Sequence, residues 1–228
     1  MQFNNLSNEE GAVILLNKPY GWTSFDAVKK VRNTLKIKKV GHAGTLDPLA
    51  TGLLVLCTQK KTKTINEIQS WEKEYTGSMI IGKTTPSFDL ETEVDQEKDI
   101  SHITEEEIRS HTDKFQGVIE QIPPKFSAVK VNGKRAYDLA RKGEEFKIEA
   151  KKVEIKSFEI TDISLPEITF KVVCSKGFYV RSLVRDFGEA LGVGAYMSAL
   201  CRSRIGEFQL EEAWELEDFI QEANALSN

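Results

Sequence analysis

The sequence predicts an α+β fold with a mixed, mainly antiparallel sheet flanked by helices. Strand-like and helix-like stretches are interspersed without the regular βα alternation of a doubly wound sheet. An Asn-Gly pair at 132–133 stands between alternating residues, the signature of a tight hairpin. The 228 residues hold no internal repeat and no Gly/Ser- or Pro-rich linker, so one domain over 1–228 is expected.

In chain order, GAVILLNKP (11–19) reads as a buried strand stopped by Pro19. Thr23 or Ser24 caps a helix with Phe25, Val28, Val31 and Leu35 on its apolar face and Lys29, Lys30, Arg32 and Lys36 opposite. GHAGTLDPLATG (41–52) is a turn-rich loop, LLVLCT (53–58) a buried strand, and KEYTGSMIIG (73–82) an alternating strand. Residues 87–103 read as an exposed acidic excursion. Thr104 and Glu107, at capping-box spacing, start a helix over 104–115. The segment 125–143 is a hairpin and a short helix ending at Gly143. Two strands follow at 153–163 and 167–177. Residues 180–191 place Val180, Leu183, Val184, Phe187 and Leu191 on one helical stripe, and 214–226 is a final acidic helix.

Net charge is −4, which taken alone argues against a nucleic-acid partner. The charge is segregated, however. Residues 1–63 carry ten Lys and Arg against four Asp and Glu, and 114–156 carry eleven against six. The acidic excess lies in 87–113 and 207–228, which leaves room for a basic face. No apolar run is long enough to cross a bilayer, and the polar N-terminus is unlike a signal peptide. Three widely spaced cysteines suit a reducing, cytoplasmic setting better than a disulfide framework.

Phosphate-binding loop, dinucleotide fingerprint, nucleophile-elbow and zinc-ligand spacings are all missing, so neither a metal nor an organic cofactor is expected. In GHAGTLDPLATG, Asp47 before Pro48 is either a helix N-cap or a carboxylate held on a tight loop with His42 nearby. In SKGFYVRSLVRD (175–186), Arg181 and Arg185 share a helix face, either as a solvated pair or with one guanidinium set against a carboxylate. Tyr75 is a packed strand tyrosine or a base-stacking platform. The 125–143 segment interleaves Lys125, Lys130, Lys134, Arg135, Arg141 and Lys142 with Phe126 and Tyr137, a composition suited to gripping nucleic acid.

These segments, collinear and spaced as they are, resemble the bacterial TruB-type tRNA pseudouridine synthases. The resemblance runs from NKPYGWTSFDAV (17–28) to CRSRIGEF (201–208). It implies a pseudouridine-synthase-like fold with a central RNA-binding cleft, and isomerisation of the T-loop uridine at tRNA position 55. By the same resemblance Asp47 is the nucleophile, Tyr75 stacks on the target base, and Arg181 pairs with the aspartate, with Tyr179 beside it. Leu200 closes the base pocket and His42 rearranges the T-loop. Lys18 is structural or touches substrate, and Lys130 belongs to the basic grip. The partner implied is the tRNA T-arm, bound by a monomer without a protein partner. Relatives continue into a C-terminal PUA domain, which this sequence is expected to lack. A silent RNA-binding module, a synthase for another RNA and a metal-free hydrolase are the competing readings.

Overall fold

The computed structural model describes residues 9–225. The chain divides into two compact units, Met1–Tyr75 with Leu200–Asn228, and Thr76–Ala199.

The first unit begins with β1 (Val13–Lys18). Helix α1 (Ser24–Thr34) follows, started by a reciprocal capping box between Thr23 and Asp26. Its buried residues are Ser24, Ala27, Val28 and Val31. Phe25, predicted on the apolar face, is exposed instead, because Ala27 turns inward in its place. Next come β2 (Val40–His42), β3 (Thr51–Thr58) and α2 (Ile65–Ser70), and the chain passes into the second unit along β4 (Lys73–Ile81). Strand β3 is apolar along its length because it is covered on both faces. On one face Leu54 and Leu56 pack with Val28 and Val31 of α1; on the other Leu53 and Val55 pack with Ile68 of α2.

In the second unit β5 (Lys83–Thr84) pairs with β6 (Gln96–Glu97). The acidic excursion expected over 87–103 is exposed along most of its length, but it departs from that reading at its start, where Ser87 and Asp89 are buried. Thr104 caps α3 (Glu105–His111), and the predicted helix tightens to a 3₁₀ turn over Thr112–Phe115. After β7 (Gly117–Gln121), β8 (Lys130–Val131) and β9 (Lys134–Arg135) form the Asn-Gly hairpin. Its turn residues Asn132 and Gly133 sit at φ 50° and 81°, as a primed turn requires. Helix α4 (Ala136–Arg141), β10 (Lys151–Ser164), β11 (Glu167–Cys174) and α5 (Val180–Ala190) follow. Phe187 of α5 meets Phe158 of β10 edge-on at 5.4 Å, and Phe158 meets Phe170 of β11 at 6.0 Å. Here strand order is β4-β11-β10-β7.

The chain returns to the first unit along β12 (Ala195–Ile205), a strand the sequence reading did not anticipate. Then come β13 (Phe208–Gln209), β14 (Trp214–Glu215) and α6 (Leu216–Ala225). Leu226, counted in the predicted final helix, and the polar start at residues 1–8 lie outside the described residues. Strand order here is β14-β1-β3-β12, with β2 against β3 and β13 against β12. Most pairs are antiparallel, while β1 with β14 and β3 with β12 run parallel. Among the described residues no helix is long and apolar enough to cross a membrane.

Candidate active site

Asp47 sits half-buried on the loop that joins β2 to β3. Residues 43–50 contain no helix, so Asp47 is not an N-cap; Ala50 N–H donates to Asp47 O at 3.1 Å and closes a turn instead.

Three buried side chains of the same unit shape this loop. Ser24 Oγ donates to Leu46 O at 3.1 Å and accepts from Leu46 N–H at 2.9 Å, fixing the residue before Asp47 through both backbone groups. Lys18 Nζ, at the end of β1, donates to Trp22 O at 2.7 Å, Pro19 O at 2.9 Å and Pro48 O at 3.3 Å, fixing the residue after it. Arg202, 1% exposed on β12, donates Nε to Leu53 O at 2.8 Å, Nη2 to Gly44 O at 3.1 Å and Nη1 to Thr45 O at 3.5 Å. Between them these cations bind carbonyls of the Asp47 loop, of the turn after β1 and of β3, tying the three together. Gly52, at φ +99°, allows the approach: a Cβ there would lie 2.5 Å from Arg202 O.

Burial pushes the Lys18 pKa down to about 8, with the nearby Asp47 carboxylate pulling it back up. His42, half-buried on β2, has its pKa lowered first by burial and further by the Arg202 charge, against an opposing pull from the Gly44 backbone. Its imidazole is therefore neutral at pH 7. Tyr75 is mostly buried on β4, and Leu200 is buried on β12, where its carbonyl accepts from Thr51 Oγ1 at 3.4 Å.

In the second unit Tyr179 precedes α5. Gln121 clamps its backbone, accepting from Tyr179 N–H at 2.8 Å and donating to Tyr179 O at 3.1 Å. Arg181, 3% exposed, donates Nη2 to Phe126 O at 3.0 Å, and its Nη1 lies 3.5 Å from Asp89 Oδ2. The solvated-pair reading of Arg181 and Arg185 therefore fails for Arg181. Lys130 is exposed on the hairpin, on the rim of a concavity of about 640 Å³ that Lys134, Arg135, Arg141 and Lys142 also line.

The structure thus joins Lys18 to the Asp47 loop and places Tyr179 and Arg181 together at the start of α5. Sequence reasoning missed Arg202, Asp89 and the Ser24–Leu46 clasp. Arg202 was readable in principle as a charge inside the alternating run of β12; Asp89 was masked by the acids around it. Among the described residues no group of three or more His, Cys, Asp or Glu gathers to hold a metal.

The sequence profile of the TruB family pseudouridylate synthase (N terminal domain) matches residues 32–180. That of the tRNA pseudouridylate synthase B C-terminal domain matches residues 181–227. The tRNA pseudouridine synthase B of Phocaeicola vulgatus is 52% identical over 217 residues, covering 92% of this chain and 92% of that protein. That of Flavobacterium johnsoniae is 51% identical over 211 residues, covering 90% and 92%. Among solved structures, an H/ACA ribonucleoprotein bound to a substrate RNA containing 2′-deoxyuridine is similar with a TM-score of 0.71 at 27% identity, over 93% of this chain. A Cbf5-Nop10-Gar1 complex is similar with a TM-score of 0.71 at 30% identity, over 92% of this chain. The chain spans 53% of the length of each of those two solved chains. A profile covering most of the chain and relatives half identical over nine-tenths of it lead to one assignment: the chain belongs to the TruB family of pseudouridylate synthases.

Proposed function

We propose that this chain isomerises a tRNA uridine to pseudouridine, and that the uridine is the T-loop residue at position 55. The observation that carries the proposal is the bracing of Asp47, whose neighbours Leu46 and Pro48 are held by the buried Ser24 and Lys18. A carboxylate fixed this way is positioned before substrate arrives, as an attacking group must be.

In the reaction the N1–C1′ bond of uridine breaks, the base turns, and a C5–C1′ bond forms. The C5 proton leaves and N1 gains one, so atoms and electrons balance without an oxidant or water. The uridine must first leave its stack, at a few kcal/mol. Tyr75 offsets part of this by stacking, worth about 1–3 kcal/mol per base. Asp47 acts ionised, and the Arg181 guanidinium supplies the positive charge that keeps it so. Tyr75 then takes the C5 proton, directly or through water. Leu200 closes the base pocket, Tyr179 binds substrate beside Arg181, and His42 engages the rearranged T-loop as a neutral ring. Lys130 and the basic residues of 125–143 hold phosphates. Residues 1–228 work as one catalytic domain and as a monomer, in the cytoplasm where tRNA is matured, a setting that suits Cys57, Cys174 and Cys201 as thiols rather than disulfides.

The test is tritium release from a tRNA transcript labelled at uracil C5. About one equivalent per tRNA is expected from the wild type, and none from Asp47→Asn or from a transcript whose T-loop uridine is replaced. Binding without release would leave a silent RNA-binding module, and release from the replaced transcript would point to another uridine.

A further inference from the structure

Helix α1 presents a face that the reaction described above does not use. Asp26, Lys29 and Asn33 lie on the side of α1 away from the buried Ala27, Val28 and Val31, with the exposed Phe25 and Lys30 flanking them. Phe25 is 63% exposed and Tyr20, in the turn before the helix, is 60% exposed. A concavity of about 390 Å³ lies alongside, lined by Gly21, Trp22, Asp26, Lys29, Lys30 and Asn33.

Single exposed apolar side chains are ordinary on a protein surface. Three features set these apart. First, charge: residues 18–39 hold seven basic side chains and one acid. That acid, Asp26, is engaged by Thr23 N–H at 3.0 Å in the capping box, and Lys29 and Lys30 form no ion pair among the described residues. Second, type: exposed aromatics beside unpaired cations offer stacking planes and phosphate donors together, the combination that grips single-stranded nucleic acid. Third, place: the turn carrying Tyr20 is joined to the Asp47 loop, since Gly21 N–H donates to Pro48 O at 2.9 Å and Lys18 Nζ bridges Trp22 O and Pro48 O. A strand bound on this face therefore continues toward the carboxylate.

We propose that the Tyr20–Asn33 face is a second RNA contact, which takes the strand flanking the target uridine with bases on Tyr20 and Phe25 and phosphates on Lys29 and Lys30. The proposal rests on the reading that the substrate is RNA and extends it to residues outside the reaction centre. A protein partner would need acidic complementarity to this surface, and a membrane would gain nothing from its attachment to the catalytic loop.

The test is equilibrium binding of an unmodified tRNA transcript between roughly 50 and 200 mM salt, where phosphate contacts set the slope. Lys29→Glu with Lys30→Glu should weaken binding about ten-fold or more at low salt and flatten the log–log salt slope by roughly 1.5, as the loss of two contacts demands. Tyr20→Ser with Phe25→Ser should weaken it by about ten-fold with the slope unchanged, because stacking is lost and charge is not. The exposed pair Lys151→Glu with Lys152→Glu, at the start of β10, is the comparison for the same charge reversal elsewhere and should weaken binding less. Both α1 variants matching wild type, or the comparison pair weakening as much as Lys29→Glu with Lys30→Glu, would overturn the proposal. Tritium release by the wild type separates this from the isomerase reading. Release with α1 variants of normal affinity removes the surface and keeps the activity; weakened variants with no wild-type release keep the surface and remove the activity.

Discussion

Arg181 and Asp89 form a buried ion pair, Nη1 to Oδ2 at 3.5 Å, between the first turn of α5 and a stretch whose sequence reads as solvated acid. Both residues are 3% exposed. The guanidinium also donates to the carbonyls of Ser87 at 3.4 Å and Phe126 at 3.0 Å. Several groups of its own unit thus fix its orientation, and the planar fork is aimed by the fold rather than by substrate.

Removing the carboxylate should be severe. Asp89→Ala removes a carboxylate from beside a buried guanidinium, a change that costs up to about 3–5 kcal/mol in comparable buried pairs. Urea denaturation measures this directly. A loss of about 1 kcal/mol or less, the value of an exposed pair, would mean that Asp89 is not what anchors Arg181.

Arg202 invites a finer substitution. Arg202→Lys keeps the charge, but a single ammonium cannot reach the carbonyls of Gly44, Thr45 and Leu53 together. The Asp47 loop then loosens without losing its chemistry. Single-turnover tritium release should slow by roughly 10²-fold, the usual consequence of an ångström-scale misplacement. The dissociation constant for tRNA should change little. An equal loss in affinity and rate would show that Arg202 acts on binding instead.

The features legible in the sequence are those set by local chemistry. The capping Thr23, the Asn132-Gly133 turn and the Val180–Leu191 stripe each depend on residues a few positions apart, and each stands where expected. The misses depend on distant partners. Asp89 is one of ten acids between 87 and 113, and only its contact with a residue about ninety positions later distinguishes it. Strand β12 goes unassigned in the sequence because Arg202 and Arg204 interrupt its apolar run. The structure buries Arg202 against the loop before β3 and pairs Arg204 with Glu72 at 2.8 Å. Asp47 was legible as a residue of interest from its glycine-rich surroundings, but not its bracing, since Lys18 and Arg202 come from strands far away in sequence.

Gly52 and Gly192 separate strain from collision. Both have positive φ, +99° and +76°, but a Cβ on Gly52 would lie 2.5 Å from Arg202 O, whereas one on Gly192 meets nothing within 4 Å. Gly192→Ala should cost about 1 kcal/mol, from backbone conformation alone. Gly52→Ala should cost at least about 2 kcal/mol more, because backbone must move to admit the methyl. Denaturation midpoints of the two variants give the comparison, and equal losses would show that the β3–β12 approach is not tight.

Lys18 makes the site sensitive to pH. Its pKa falls from 10.5 to about 8 on folding, chiefly through burial, with Asp47 opposing. Between those values the unfolded chain holds a proton that the folded chain has released, so this residue makes stability rise with pH across that window; below about pH 8 it adds no slope. Activity should move the other way. Losing the proton removes the charge beside Asp47 and a donor from Pro48 O, so kcat/KM should fall along an alkaline limb with a midpoint near 8. Lys18→Arg, whose guanidinium does not titrate in this range, should abolish the limb even if it lowers the plateau. A wild-type profile flat to about pH 9.5 would show that the Lys18 charge plays no part in turnover, and the same limb in Lys18→Arg would assign it to another group.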